Sequence, residues 1–286
     1  MTDFEKDMDV LCLPSDARKT ILKCFNAKPS VFLVMADKAY EGELCDLPIC
    51  KRKPEERLVI WCCLVPRIVE KYRKADTPNT IIMQMLWEIT RLAAEYEKRT
   101  GKIGLSKENV IWLRHIYHAN IFTFGSLQFQ RFNMVYLDEE GCGEEYMTFS
   151  RMQKEKIPPG SPVINVHIPT GTDLSPSAVE NSFAEAEKFF VLKESSCCPL
   201  AFTCYSWLLY PGMQELLPLD CNIRNFAARF QIIGQVSDPY GSEAVRRIYG
   251  RRYPAKRDYP TQTQLQRNAI GHFSKLGMAC GIIEIT

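Results

Sequence analysis

Little in this chain marks a metal, secreted or membrane protein. Only four of its 286 residues are histidine, and none of its twelve cysteines forms a C-x-x-C pair. Zinc sites need thiolates or imidazoles at short paired spacings, so no metal is expected. Cys62 and Cys63 in "LVIWCCLV" and Cys204 in "LAFTCYSWLL" sit within apolar runs, as buried small hydrophobes do. A disulfide framework is not expected in a chain of this length, which implies a reducing compartment. Neither sign of charge predominates. A net charge of +2 excludes a global polyelectrolyte role but leaves room for a local basic patch. The opening "MTDFEKDMDV" has no basic n-region and no apolar h-region, so no secretory signal is expected. The most apolar run, Leu58–Val69, is broken by Pro66 and Arg67 and falls well short of the roughly 20 residues that span a bilayer. The expectation is a cytoplasmic protein with no membrane partner, no internal repeat and no low-complexity tract.

What is present is ordinary globular material, 46% hydrophobic and 24% charged, in a chain long enough for one or two domains. Its two halves have different rhythms, with the change placed at residue 120. In "TPNTIIMQMLWEITRLAAEYEKRTG", Ile82, Met85, Leu86, Ile89, Leu92, Ala93 and Tyr96 recur at helical spacing. Thr77 reads as its N-cap, Pro78 as its first residue and Gly101 as its stop. "SKENVIWLRHIYHAN" reads as a helix capped by Ser106, and "KPEERLVIWCCLVPRIVEKYRK" as one kinked or interrupted near Pro66. From "FGSLQFQRFNMVYLD" onward, strands are expected at Leu127–Leu137, Val163–Ile168, Leu200–Leu208, Phe230–Val236 and Met278–Ile285. Helices are expected between them at Pro176–Leu192, Asn222–Arg229 and Thr261–Leu276. The charged "EEGCGEEYMTFSRMQKEKIPPGSP" reads as a surface excursion. The fold class is α+β: a helical N-terminal domain, 1–120, followed by a mixed α/β sheet domain, 121–286.

One corner of the second half carries chemistry. In "VINVHIPTGTDLSPSAVENSFAEAEKFF", alternation puts Val163, Asn165 and His167 on one strand face and Ile164, Val166 and Ile168 on the other, expected to be the buried one. Pro169 ends the pairing, and Ser175-Pro176 opens a helix with Val179, Phe183, Ala186 and Phe190 as its apolar seam. His167 at the strand end suits proton transfer at neutral pH. A half-exposed histidine bonded to a neighbouring loop has the same sequence.

This stretch, "TCYSWLLYPGMQELLPLDCNIRNFAARF" and "TQTQLQRNAIGHFSKLGMACGIIEI" together resemble a bacterial acyltransferase-like family with a GNAT-like C-terminal domain and a helical N-terminal domain. The resemblance covers roughly 4–120 and 122–285, and the order of the motifs is more specific than any one of them. It implies transfer of an acyl group from acetyl-CoA or another acyl-CoA to an amine, with acyl-CoA bound at the splayed centre of the sheet. It puts His167 at the family's "HIP" motif, as candidate base, with Asn165 and Tyr205 on the acceptor side. Where the family pattern has His, Asp and Ser, this chain has Tyr205, Tyr210 and Cys221, which puts the first of those positions in doubt as a base. The family's pyrophosphate loop is matched only in part, by "QIIGQV" and "RIYGRR", and such partial matches arise by chance. The turn after the third of these strands, with Trp207, Leu208, Leu209, Gly212, Met213 and Gln214, is the better candidate for the cofactor by order of elements. Tyr240 and Tyr249 lie where a tyrosine of this fold protonates the leaving thiolate.

The basic run "AVRRIYGRRYPAKR" offers Arg246 and Arg247 to CoA phosphates, to an anionic substrate or to solvent. Nucleic acid is not expected, since no recognised binding motif accompanies it. Ser206 lacks a Gly-x-Ser-x-Gly elbow. His115 and His118, three apart, have no third ligand nearby, and His272 reads as structural or exposed. Two functions remain open: an acyltransferase acting on an amine the residues do not specify, and a GNAT-like binding module that has lost catalysis. Oligomeric state is not encoded legibly.

Overall fold

The computed structural model describes residues 3–40, 47–193, 198–238, 242–250 and 258–285. The chain forms two compact units, Met1–Thr123 and Phe124–Thr286. Among the described residues of the first, seven helices follow one another: α1 Asp3–Val10, α2 Ser15–Ala27, α3 Pro29–Lys38, α4 Leu47–Cys50, α5 Pro54–Lys74, α6 Asn79–Thr100 and α7 Lys107–Tyr117. Helix α5 is the hub. It packs on α1, α2, α3, α6 and α7, with Leu58, Ile60, Trp61, Leu64 and Ile68 fully buried. It runs through Pro66 as one helix, so of the kink or interruption expected there the interruption is absent. Ser106 caps α7 in a reciprocal box with Asn109, and Gly101 ends α6 at φ +67°, both as expected. Thr77 does not cap α6. Its amide is held by the Tyr72 carbonyl in a tight turn, its side chain turns inward, and Pro78 takes the cap position.

A mixed six-stranded sheet follows, its first strand ending at the unit boundary and the other five within the second unit: β1 Ile121–Phe124, β2 Leu127–Asn133, β3 Pro162–His167, β4 Ala201–Ser206, β5 Gln231–Ser237 and β6 Gly277–Glu284. The order is β1-β2-β3-β4-β6-β5, with β3 and β4 parallel and β2–β3, β4–β6 and β5–β6 antiparallel. Strand β1, four residues long, has no counterpart in the sequence reading, being too short for alternation to register. A two-residue turn joins it to β2. Gly125 there has φ +56°, and a Cβ on it would stand 2.6 Å from the Ser182 hydroxyl.

One face of the sheet packs on α10, Pro176–Lys193. The expected seam of Val179, Phe183, Ala186 and Phe190 is buried, and the Phe183 ring meets those of Phe129 and Phe202 edge-on at 5.5 and 5.1 Å. The opposite face is covered over part of its length by residues 134–161, which corrects the reading of 139–162 as a surface excursion and of 134–137 as the end of a strand that stops at Asn133. Their short helices α8 Glu139–Cys142 and α9 Arg151–Lys156 carry charge outward, but Met134, Tyr136, Met147 and Ile157 form a core with Val163, Ala201, Ile233, Cys280 and Ile282. Val163 is therefore buried although it shares the His167 face. Sparse apolar residues, spaced irregularly among charges, did the burying.

Among the described residues of this unit are four further helices: α11 Pro211–Gln214, α12 Asn222–Ala227, α13 Ser242–Tyr249 and α14 Gln264–Ala269. The expected single helix at 261–276 is split. Thr263 boxes with Gln266 to start α14, Ile270 leaves it in extended backbone with Gly271 following at φ +84°, and Phe273–Lys275 forms one 3-10 turn. Among the described residues no helix is long and apolar enough to cross a membrane, and no group of three or more His, Cys, Asp or Glu is placed to hold a metal ion.

Candidate active site

Residues of β3 alternate between an apolar face over α10 and a face whose C-terminal end is polar. Gln130 pairs with Asn165 and Gln128 with His167 across the β2–β3 ladder, and Thr203 of β4 is in register with Asn165. These five side chains therefore share one face. Gln128, Gln130 and Thr203 are buried, while Asn165 and His167 are half-buried. His167 Nε2 lies 2.8 Å from Gln130 Oε1 and 3.4 Å from Asn165 Nδ2. Past the strand, Pro169 begins a turn in which its carbonyl accepts from the Thr172 amide and hydroxyl, with Gly171 at φ +78°. Asp173 accepts from the Ser175 amide and hydroxyl, and α10 starts at Pro176.

The β3–β4 ladder is confined to Ile164–Phe202 and Asn165–Thr203. Beyond it each strand keeps its outer partner to the end, His167 with Gln128 and Ser206 with Ala279. The two parallel strands thus diverge at their C-terminal ends, where open α/β sheets take their ligands. The same register carries Tyr205 to the level of His167 on the same face. Tyr205 is half-buried, and its hydroxyl lies 3.0 Å from the Met147 sulfur. Burial pushes that phenol far above its ordinary range, and Cys280, Tyr146 and Cys142 add to the effect. Burial likewise raises the Cys280 thiol to about 12 and holds the Cys204 thiol protonated.

The turn after β4 is compact. Ser206 accepts from the Leu208 amide, so its hydroxyl is engaged in the local fold. Trp207–Leu209 makes a 3-10 turn and Pro211 opens α11. Leu209 and Met213 are buried, and the Gln214 amide donates to the Leu208 carbonyl. Gly212 has a packing reason: a Cβ there would stand 2.8 Å from the Lys275 carbonyl oxygen and 2.9 Å from the Tyr210 ring. "QIIGQV" is strand β5. Its Gly234 sits at a bulge against β6, and a Cβ would meet the Phe149 ring at 2.4 Å.

On α13, Arg246 and Arg247 both reach Glu243, at 2.6 and 2.8 Å, and both remain exposed. Tyr249 on the same helix is buried beside Tyr259 and Phe273, and its hydroxyl donates to the Gln266 carbonyl at 2.6 Å. Burial, then Tyr259, raises its pKa to about 12. Tyr240 lies outside the described residues. Arg246 lines a cleft of about 430 Å³ with Tyr146, Val236, Asp238, Glu243 and Met278. Val236 pairs with Met278, two residues from the Cys280 opposite Tyr205, so this cleft opens on the His167 face towards the β5 edge.

The structure thus brings His167, Asn165 and Tyr205 to one end of one face and puts Arg246 and Arg247 with Tyr249 on a separate helix. Sequence reasoning missed Gln128, Gln130 and Thr203. The glutamines alternate with Leu127, Phe129 and Arg131 in "LQFQRF", and that alternation was the available signal.

Similarity to known proteins follows this architecture. No curated protein sequence matches the chain. An acyltransferase mutant solved in complex with octanoyl-CoA superimposes with a TM-score of 0.73 at 16% identity, covering 98% of this chain and 86% of its own. An acyltransferase in complex with decanoyl-CoA and teicoplanin gives a TM-score of 0.72 at the same identity and coverage. Likeness at that identity establishes a shared fold. Residues 121–283, more than half of the chain, match the family described as GNAT-like C-terminal domain, and the chain belongs to that family.

Proposed function

We propose that the chain is a CoA-dependent N-acyltransferase that moves an acyl group from an acyl-CoA thioester to an amine. The observation that carries this reading is the end of the β3–β4 ladder at Asn165–Thr203, with His167 and Tyr205 level on either side of it in a GNAT-like unit. That similar folds were solved with octanoyl-CoA and decanoyl-CoA supports acyl-CoA as the donor class. The amine nitrogen attacks the thioester carbonyl. A C–N bond forms, the C–S bond breaks, and the electron pair leaves with sulfur. His167 takes the proton that the amine loses, and main-chain amides near β4 stabilise the developing oxyanion. The thiolate takes a proton from the imidazolium or from solvent. Tyr249 is a poorer donor for this step, because its hydroxyl is committed to Gln266. The 207–214 turn holds the CoA end, with Arg246 and Arg247 available to its phosphates at the cost of exposed ion pairs to Glu243.

The test is calorimetric titration of purified protein with CoA and a series of acyl-CoAs. Micromolar binding with a chain-length preference supports the reading. Failure of every member to bind to folded protein overturns it and favours the second reading, a GNAT-like module that binds a partner without catalysis. The observation behind that alternative is the internal engagement of the Leu208 amide and the Gln214 side chain, groups the cofactor would otherwise meet.

A further inference from the structure

We propose that Tyr205, held against Met147, limits the length of the acyl chain, closing a shallow site that takes short donors, acetyl to butyryl. The proposal rests on the reading of the chain as an acyl-CoA-dependent transferase with His167 as base. It moves Tyr205 from the acceptor side, where the resemblance puts it, to the acyl side. An amine within reach of His167 attacks a thioester carbon that must come to about 3–3.5 Å of it. That carbon therefore lies near the level of His167 and Tyr205, and the Tyr205 ring is the β4 wall beside it. The side chains along each direction open to the acyl tail decide how much of it can be buried.

Down the face, towards the ladder, lie Asn165 and the buried Thr203. Val163 and Ala201 follow, fully covered, in a core that also holds Met147, Ile157 and Cys280. Towards β2 lie Gln128 and Gln130, both buried. An alkyl chain laid against these amide and hydroxyl side chains finds no apolar wall and strips solvation from polar groups. Towards β6 the Tyr205 ring itself stands in the way, opposite Cys280 and packed on the same core. Beyond it is the cleft of about 430 Å³, whose lining includes Asp238, Glu243 and Arg246, a setting for a polar acceptor rather than an alkyl tail. The other face of the sheet is closed at this level by Val166, Cys204 and the α10 seam.

The closure is held from both sides. The Tyr205 hydroxyl donates to the Met147 sulfur at 3.0 Å, and the Met147 amide donates to the Leu137 carbonyl at 2.8 Å. Tyr136 anchors the same covering segment, its hydroxyl reaching the carbonyls of Gln153 and Ile157 and its ring meeting Phe149 edge-on. A cluster packed in this way cannot take up an extra chain without shifting its neighbours.

Calorimetric titration of the full chain with CoA and with acetyl-, butyryl-, hexanoyl- and octanoyl-CoA measures this depth with no acceptor present. Where an added methylene is buried, affinity rises about fourfold. The wild type is expected to gain affinity from CoA to butyryl-CoA and nothing further up to octanoyl-CoA. Tyr205→Ala removes the wall. It is expected to bind octanoyl-CoA about tenfold or more tighter than the wild type does, the worth of about two buried methylenes, with CoA affinity within about twofold. Tyr205→Phe keeps the ring and with it the wild-type profile. Met147→Ala opens the same wall from the covering side and is expected to shift the profile in the same direction, which serves if Tyr205→Ala does not fold. A wild type that binds octanoyl-CoA more tightly than butyryl-CoA overturns the proposal and leaves the acyl-CoA reading standing. So does a profile that stays unmoved in the folded variants. Binding of no member of the series, CoA included, overturns the acyl-CoA reading itself and this proposal with it.

Discussion

His167 and Tyr205 stand level on β3 and β4, on one face of the sheet, just past the last residue pair that joins the two strands. One is a half-buried imidazole held by an amide oxygen, and the other a phenol whose burial keeps it protonated. Of the two, His167 is the proposed base, because the Tyr205 phenol is held protonated. His167→Ala is therefore expected to lower kcat for acyl transfer by about a hundredfold or more, the range of a lost general base. Affinity for acyl-CoA should stay within about twofold. Steady-state kinetics beside calorimetry separates the two, and equal rates in mutant and wild type would remove His167 from the mechanism.

Tyr205 makes a contrasting case. Its hydroxyl meets only a thioether, a weak acceptor, at 3.0 Å. Tyr205→Phe keeps the ring against Met147 and removes that contact. The expected outcome is a stability loss under about 1 kcal/mol and acyl-transfer rates within about threefold of wild type. A hundredfold loss would mean that the phenol itself touches the reacting atoms.

Much of this arrangement was legible in the sequence where local rules and tertiary packing agree. Alternation around His167 gave its strand and its face, Pro169 gave the strand end, and the 176–190 seam matches what α10 buries. Legibility failed where a long-range contact decides. Val163 reads as exposed until residues 134–161 fold over it, and no local pattern in that charged segment announces that Met147 and Ile157 are core. Gln130 was passed over because a glutamine in a strand has no chemistry of its own, and it acquires one from a histidine 37 residues later. Gly234 matches a phosphate loop only by chance and Gly212 reads as part of the cofactor turn, and each also has a packing reason, a ring or a carbonyl pressed against the backbone.

Gly234 gives a direct check on that last point. The Phe149 ring lies 2.4 Å from where a Cβ would be, and the same ring packs edge-on against Tyr136 at 4.8 Å, so it has little freedom to retreat. Gly234→Ala is expected to destabilise the protein by about 1–3 kcal/mol through overpacking. Adding Phe149→Leu should return part of that loss, a coupling between neighbours that two separate lesions would lack. Denaturant midpoints of the wild type, the two single variants and the double variant close the cycle.

The N-terminal unit carries its own pH dependence in His115. Burial, with help from Arg114 and His118, lowers its pKa from the ordinary 6.5 to about 4, against the raising effect of the Asn120 side chain. The folded state therefore holds this ring neutral, while the unfolded chain protonates it below about 6.5. Between pH 6.5 and 4 the unfolded state binds more protons, so stability rises with pH through that window and is lost on acidification. The contribution is fully present above pH 6.5, and, discounted for solvent screening of this part-exposed ring, about 1 kcal/mol of it is gone by pH 5. His115→Gln cannot titrate. The gap in unfolding free energy between pH 7.5 and pH 5 should be smaller in this variant than in wild type by about that amount, with His118 present in both. Denaturation curves at the two pH values measure it. A gap of the same size in the two proteins would show that the acid sensitivity of the unit comes from other groups.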